Sequence, residues 1–285
     1  MQAAVTRLIE MALAEDLGSG DVTALYFVPE GRRARAFAVA RCDGVISGAA
    51  VAARVFLTVD PTLDVEILIP DGSHVAAGAT LMRIEGSARA VVTAERTALN
   101  FMQRLSGVAS LTARYVAAIK GTSAAILDTR KTTPGFRLLE KQAVVHGGGT
   151  NHRLGLYDRA MVKDNHLVAE GGPQAIQAAI QRLQADHPAV EVELEADSLA
   201  QVRTFLTLEG VAHILLDNMT LEELREAVAM RGETCVPRLE ASGGVTLQTV
   251  RNIAETGVNF ISVGALTHSA PALDIGLDFV PLKGG

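Results

Sequence analysis

The chain has no tryptophan, and aromatic residues make up only 4% of its 285 positions. Its 48% apolar content must therefore pack chiefly through Ala, Val, Leu and Ile. Cysteine is almost as scarce: Cys42 and Cys235 stand alone, with no CxxC spacing. That excludes a disulfide framework and a cysteine zinc site and fits a reducing compartment. No apolar run approaches the ~18 residues a membrane span needs. The opening MQAAVTRLIEMALAEDLG is not a signal peptide, because Arg7 and Glu10 interrupt an amphipathic stripe of Val5, Leu8, Ile9, Ala12 and Leu13. Positive charge is in deficit too, with a formal net charge of -6, which argues against a broad nucleic-acid-binding face. The expectation is a soluble cytoplasmic protein with neither nucleic-acid nor membrane partners.

Against that acidic background one segment is basic. Residues 128–166 hold seven of the 26 Lys and Arg residues, about twice an even share, against four acids. His146, His152 and His166 lie there too, among glycines and short polar turns. Such a composition cannot form a core. It suits a cationic pocket for a small, multiply charged anion.

The first third reads as α+β: a helix, then apolar or alternating runs at 34–40, 63–69 and 80–85. Asp71-Gly72 and Gly78 read as turns. DGSHVAAGATLMRIEG has the look of a hairpin in a small sandwich; it lacks the lysine a biotinyl or lipoyl carrier would modify. Residues 93–120 read as a helix with Leu99, Met102 and Leu105 on one face and a break at Gly107. From residue 124 the rhythm changes. Short apolar strands end at Asp128, Lys163, Glu195, Asp217, Glu240-Ala-Ser242 and Gly264, mostly followed by helices. Helices are predicted at 174–185, after a Thr220/Glu223 capping box, and at 246–255 with Gly257 beyond. The later strand ends recur every 22 to 24 residues, a spacing typical of a (β/α) barrel, whose active site lies at the C-terminal strand ends. The fold class expected is α/β: an N-terminal α+β open sandwich packed on an incomplete C-terminal (β/α) barrel. The domain boundaries expected are 1–110 and 111–267, with the tail 268–285 packing back on the first domain.

Thr129, Arg130 and Lys131 follow the first barrel strand, His152 and Arg153 sit in NHRLGL, and Lys163 ends the next strand. Several cations converging there fit adjacent carboxylates, whereas Arg137, Lys141 and Arg159 read as surface charges. Glu191, Glu193 and Glu195 share one strand face, and nearness to the strand end selects Glu195. With Asp217 it can hold Mg²⁺ through water, accept from ribose hydroxyls, or stabilise an oxocarbenium-like transition state. Ser242, Gly243 and Gly264, at the last two strand ends, offer backbone amides to a phosphate, with His268 as a further donor. The run Gly147-Gly148-Gly149 reads as a turn. A lysine at a barrel strand end also admits a Schiff-base aldolase.

The segments DLGSGDVT, AERTALNFMQRLSGVAS, DTRKTTPGFRLLEKQAVVHGGGTNHRLGL, VKDNH, LLDNM, EASGG and ISVGALTHS resemble the quinolinate phosphoribosyltransferase family, in order from residue 16 to 269. The resemblance implies transfer of phosphoribose from 5-phosphoribosyl-1-diphosphate to quinolinate, with Mg²⁺, giving nicotinate mononucleotide, pyrophosphate and CO₂. It implies that Arg130, His152, Arg153 and Lys163, with Thr129, bind quinolinate. Lys131 joins that pocket and reaches the pyrophosphate, while Glu195 and Asp217 act on the ribose and, through substrate or water, the metal. Ser242, Gly243, Gly264 and His268 hold the phosphate. It also implies a homodimer, or a higher oligomer built on it, with Arg96 reaching the partner's site. The paralogue associated with molybdate transport is the related alternative, although it departs from the NHRLGL and K-D/E-NH pattern seen here.

Overall fold

The computed structural model describes residues 2–163 and 172–280. Asp164, Asn165 and His166 lie outside them, as do positions 281–285 of the tail. The chain divides into two compact units, Met1–Ala113 with Thr132–Gly148 and Thr267–Gly285, and Arg114–Lys131 with Gly149–Leu266.

The first unit opens with α1 (Gln2–Leu17), which buries Ile9 and Leu13. Asp21 then caps α2 (Val22–Phe27): it accepts from the Ala24 amide at 2.8 Å and from the Thr93 hydroxyl at 2.9 Å. An antiparallel sheet follows, built from β1 (Arg33–Ala40), β3 (Asp64–Ile67), β5 (Thr80–Ser87) and the last strand, β12 (Ile275–Val280), in the order β12-β1-β5-β3. Alternation is clear in β1, where Ala36, Ala38 and Ala40 are buried. The expected hairpin at 71–86 does not form. β4 (His74–Val75) pairs instead with β2 (Gly44–Val45), leaving β5 to pair with β1 and β3. Asp71 helps hold this arrangement by accepting from the first amide of α3 (Ala49–Val59).

Leu99, Met102 and Leu105 are buried along α4 (Ala88–Ala118), as their spacing predicts. The helix does not break at Gly107. A Cβ there would lie 2.0 Å from the Pro271 carbonyl oxygen, so the glycine serves close backbone approach, not a turn. Beyond residue 131, α5 (Arg137–His146) brings Glu140 into the core, fully buried. Its carboxylate accepts from Arg104 at 2.9 Å and from both the amide and hydroxyl of Thr133, at 2.9 and 2.8 Å. Removing one partner of a buried ion pair leaves the other uncompensated. Glu140→Ala is expected to cost about 3 kcal/mol or more, read from urea unfolding.

The second unit is a six-stranded parallel sheet in the order β6-β11-β10-β9-β8-β7. Its strands are β6 (Ala125–Leu127), β7 (Arg159–Val162), β8 (Glu191–Ala196), β9 (Val211–Asp217), β10 (Arg238–Ser242) and β11 (Phe260–Ser262). β9 and β10 end at the predicted Asp217 and Ser242, and the other four end within two residues of the predicted position. The expected helix at 174–185 is α6 (Gly172–Asp186), and Ile180 on it is buried. α7 (Leu199–Phe205) packs on β8 and β9. The Thr220/Glu223 capping box is formed in full ahead of α8 (Leu221–Arg231). The expected helix at 246–255 is shorter. Thr246 and Thr249 exchange side-chain and backbone hydrogen bonds in a turn, and α9 (Val250–Ala254) starts only after it. A one-turn helix, α10 (Ala265–His268), follows β11. No helix among the described residues is long and apolar enough to cross a membrane.

One side of this sheet is aliphatic: Val192, Leu194, Ala196, Ile214, Leu216, Leu239, Ala241 and Ile261 are buried. The opposite parity carries Arg159, Glu191, Glu193, His213, Arg238 and Glu240. Barrels ordinarily fill that face with branched apolar side chains. His213 Nε2 lies 2.9 Å from Glu191. Burial, followed by the Arg159 charge, pulls the His213 pKa below its ordinary value, overcoming the opposing pull of Glu191 and Glu193. A depressed folded-state pKa gives stability that is fully present above the unfolded value, about 6.5, and lost as pH falls toward the folded one. Unfolding free energy should therefore drop on acidification below about pH 6.5. The slope should be smaller in His213→Gln than in the parent protein.

Candidate active site

The strand ends of the second unit surround a cavity of about 640 Å³. Chain geometry near β6 explains how residues distant in sequence reach it. Thr150 donates to the Ile126 carbonyl, its own carbonyl accepts from the Asp128 amide, and the segment runs beside β6 like an extra strand. Asp128, fully buried, accepts from the His152 amide at 2.8 Å. This strand-end acid is thus an anchor that fixes the NHR segment. Asp158 then folds the next turn by accepting from the amides of Leu154 and Gly155.

Thr129, Arg130, Lys131, His152, Arg153 and Lys163 all line the cavity, so the expected cationic cluster is brought together. Arg153 is held by its own surroundings: Nη1 donates to the Arg159 carbonyl at 3.2 Å and Nη2 lies 3.4 Å from Met161 Sδ. Burial, and next the Arg130 charge, lower its pKa from the usual arginine value. Two guanidinium charges that repel each other across one cavity favour a bound anion. Lys163 forms an ion pair with Glu195.

His152 sits deeper, 7% exposed. Its Nδ1 accepts from the Arg153 amide at 2.7 Å, which places the ring proton on Nε2. Nε2 lies 3.1 Å from Glu193 Oε2 and 3.5 Å from Glu240 Oε2. The hydrogen-bond pattern therefore gives a neutral imidazole, where the sequence led to the expectation of a cation. His152, Glu193 and Glu240 also form a compact three-ligand cluster of metal-binding residue types. However, Arg159 Nη1 stands 3.6 Å from the same Glu193 oxygen and already supplies positive charge.

Glu195 and Asp217 line the same cavity with Ser242 and Gly243. Asp217 accepts from the Asn218 amide group at 2.9 Å. Two partly accessible carboxylates on adjacent strand ends are hard oxygen donors and fit a hydrated Mg²⁺. Gly243, at φ +100°, and Gly244, at φ +59°, turn the chain tightly after β10. Because α9 starts only at Val250, the phosphate reading rests on these loop amides and not on a helix end. Gly264 follows β11 and is not among the cavity's lining residues. Arg96, exposed on α4, and His268, exposed with Nδ1 2.6 Å from Ser269 Oγ, belong to the first unit.

Met161, Leu215, Asn218, Glu240, Gly244 and Ser262 also line the cavity, although none was assigned to the site from sequence. Period-2 parity could have found several of them. Met161, Leu215, Glu240 and Ser262 lie two positions before Lys163, Asp217, Ser242 and Gly264, and so form the next tier on the same face.

Two family models match the chain: the C-terminal domain of quinolinate phosphoribosyl transferase over residues 108–278, and its N-terminal domain over residues 21–106. The chain belongs to the quinolinate phosphoribosyltransferase family. It is 43% identical to the chloroplastic nicotinate-nucleotide pyrophosphorylase (carboxylating) of Arabidopsis thaliana, covering 95% of this chain and 81% of that one. It is equally similar to the corresponding protein of Mycobacterium leprae, with 95% of each chain covered. The solved nicotinate-nucleotide pyrophosphorylase of Francisella tularensis superposes with a TM-score of 0.90 at 36% identity, over 98% of this chain and 97% of that one. These matches support the α/β fold class in both halves of the chain and displace the aldolase alternative.

Proposed function

We propose that this protein transfers the 5-phosphoribosyl group of 5-phosphoribosyl-1-diphosphate to quinolinate with loss of CO₂, the step of de novo NAD biosynthesis that gives nicotinate mononucleotide. The observation that carries the reading is the mixed lining of one cavity. Arg130, Arg153 and Lys131 line it together with Glu195, Asp217 and the Gly243-Gly244 turn. A dicarboxylate fits the first set and a sugar phosphate the second.

In this mechanism Arg130, Arg153 and Lys163, with Thr129, grip the two carboxylates and aim the ring nitrogen at the anomeric carbon. Lys163 leaves Glu195 as it takes up substrate. Glu195 and Asp217 stabilise positive charge on the ribose, and Lys131 meets the departing pyrophosphate. Glu195 and Asp217 would hold Mg²⁺ through water or substrate, and the ion would supply further charge neutralisation for that leaving group. N-glycosylation makes the ring nitrogen cationic, so the C2 carboxylate can leave as CO₂ with the electron pair kept at C2 until a proton arrives. Positioning and fixed charge carry the chemistry, with no covalent enzyme intermediate. Ser242, Gly243 and Gly264 hold the 5-phosphate, and His268 assists.

The working assembly is a homodimer in which Arg96 of one protomer serves the other's site. A cytoplasmic setting suits the two free thiols. Cys42 and Cys235 are both free and exposed, and exposed thiols persist in a reducing compartment. The test is to incubate the protein with 5-phosphoribosyl-1-diphosphate, Mg²⁺ and either quinolinate or nicotinate, following nicotinate mononucleotide and CO₂. Product from quinolinate alone is expected. Product from nicotinate, or none from either, overturns the substrate assignment and favours the molybdate-associated paralogue.

A further inference from the structure

Beneath the cationic cluster, two fully buried carboxylates press against one imidazole nitrogen. Glu193 Oε2 and Glu240 Oε2 both face His152 Nε2, at 3.1 and 3.5 Å. Both oxygens are buried without a hydrogen-bond partner of their own. The other Glu240 oxygen accepts from the Ser262 hydroxyl, and the other Glu193 oxygen is 3.4 Å from the same Nε2. His152 has a single ring proton to offer, because Nδ1 is occupied as an acceptor for the Arg153 amide. One donor cannot serve two anionic carboxylates, and a pair of like charges this close in a dry site does not ionise fully.

Charge placement decides which of the two keeps a proton. Arg159 stands 3.6 Å from Glu193. His152 Nε2 also lies nearer Glu193 than Glu240, so the ring proton and the guanidinium charge both favour Glu193 as the ionised partner. Burial and then the neighbouring Glu193 charge push the Glu240 carboxyl well above its ordinary value.

We propose that Glu240 is held as a neutral carboxylic acid whose O–H donates to Glu193, making it a positioning residue for the substrate pocket. Its proton removes one negative charge from beneath a cavity built for a dianion. It also fixes Glu193 as the acceptor for His152, and His152 in turn holds the Arg153 amide. This inference rests on the quinolinate reading for its kinetic consequence, but not for the proton itself.

Glu240→Ala removes the donor and is expected to raise the KM for quinolinate about tenfold or more, the usual effect of losing a hydrogen bond to a charged group, with a much smaller change in kcat. Glu240→Gln replaces the O–H with an N–H donor and should restore most of that affinity. The parent protein should lose quinolinate affinity at alkaline pH as Glu240 ionises, and Glu240→Gln should lack that alkaline limb. A Glu240→Gln protein as impaired as Glu240→Ala, or one that keeps the limb, overturns the proposal. Infrared difference spectra provide a readout that needs no turnover. A protonated-carboxyl band should be present in the parent protein near neutral pH and missing from Glu240→Gln. If the band is absent from the parent protein, the proposal fails even when quinolinate is turned over. If the band is present but quinolinate is not a substrate, the functional reading fails and the shared proton stands.

Discussion

Arg153→Ala should lower kcat/KM for quinolinate by about 10³-fold while the thermal melt stays close to that of the parent protein. The size follows from the hydrogen bonds that truncation takes away. A guanidinium can grip a carboxylate through two charge-assisted hydrogen bonds, each worth about 1.5–3 kcal/mol. The Arg159 carbonyl and Met161 Sδ hold its two terminal nitrogens in place, so the group is oriented before substrate arrives. Little stability depends on it, because these interactions are long and its partial burial already works against the charge. Arg153→Lys should rescue little, since an ammonium cannot reproduce the planar fork. Near-normal turnover in Arg153→Ala, with intact folding by circular dichroism, would remove this residue from the site.

Gly243→Ala should damage the other half of the reaction. The residue sits at φ +100°, and a Cβ there would lie 2.1 Å from Asn218 Oδ1 and 3.1 Å from Asn218 Cα. Asn218 is itself in a left-handed conformation, φ 54°, with its amide bonded to the Ser242 carbonyl, so it has little room to yield. A left-handed L-residue costs about 1–2 kcal/mol before any clash is counted. The turn should open, with the KM for 5-phosphoribosyl-1-diphosphate rising about 100-fold from strain and clash together. Quinolinate binding, measured by titration in the absence of the second substrate, should be nearly unchanged. A parallel loss of both affinities would mean that the substitution disturbs the whole sheet end, not the phosphate loop.

The parts of this site that were legible in the sequence are those set by strand endings. Apolar runs fix where β8, β9 and β10 stop, so Glu195, Asp217 and Ser242 could be placed on one rim from the chain alone. The capping box at Thr220 and Glu223 was equally visible, because both partners lie within four residues. What escaped were features set by distant packing. Gly107 has the local look of a helix break, and only the Pro271 backbone against it reveals its purpose. The 71–86 segment carries hairpin signals, yet β5 has longer partners in β1 and β3. His152 looks cationic beside Arg153. Its neutrality depends on which way each ring nitrogen points, and no spacing rule records that. Asp128 has the sequence character of a rim ligand, yet its carboxylate is taken up by the His152 amide.

The two faces of the parallel sheet divide labour in a way that bears on heat tolerance. Its aliphatic face supplies the burial that holds the second unit together, while the inner face keeps Arg159, Glu191, Glu193 and His213 where a conventional barrel keeps Val and Leu. Buried ion networks are often no more stabilising than well-packed apolar replacements of equal volume. Variants with an apolar lumen should therefore be at least as hard to melt as the parent and inactive. Selection for thermostability alone would tend to erode the lumen first, whereas selection for turnover would leave improvements in stability to the outer layer.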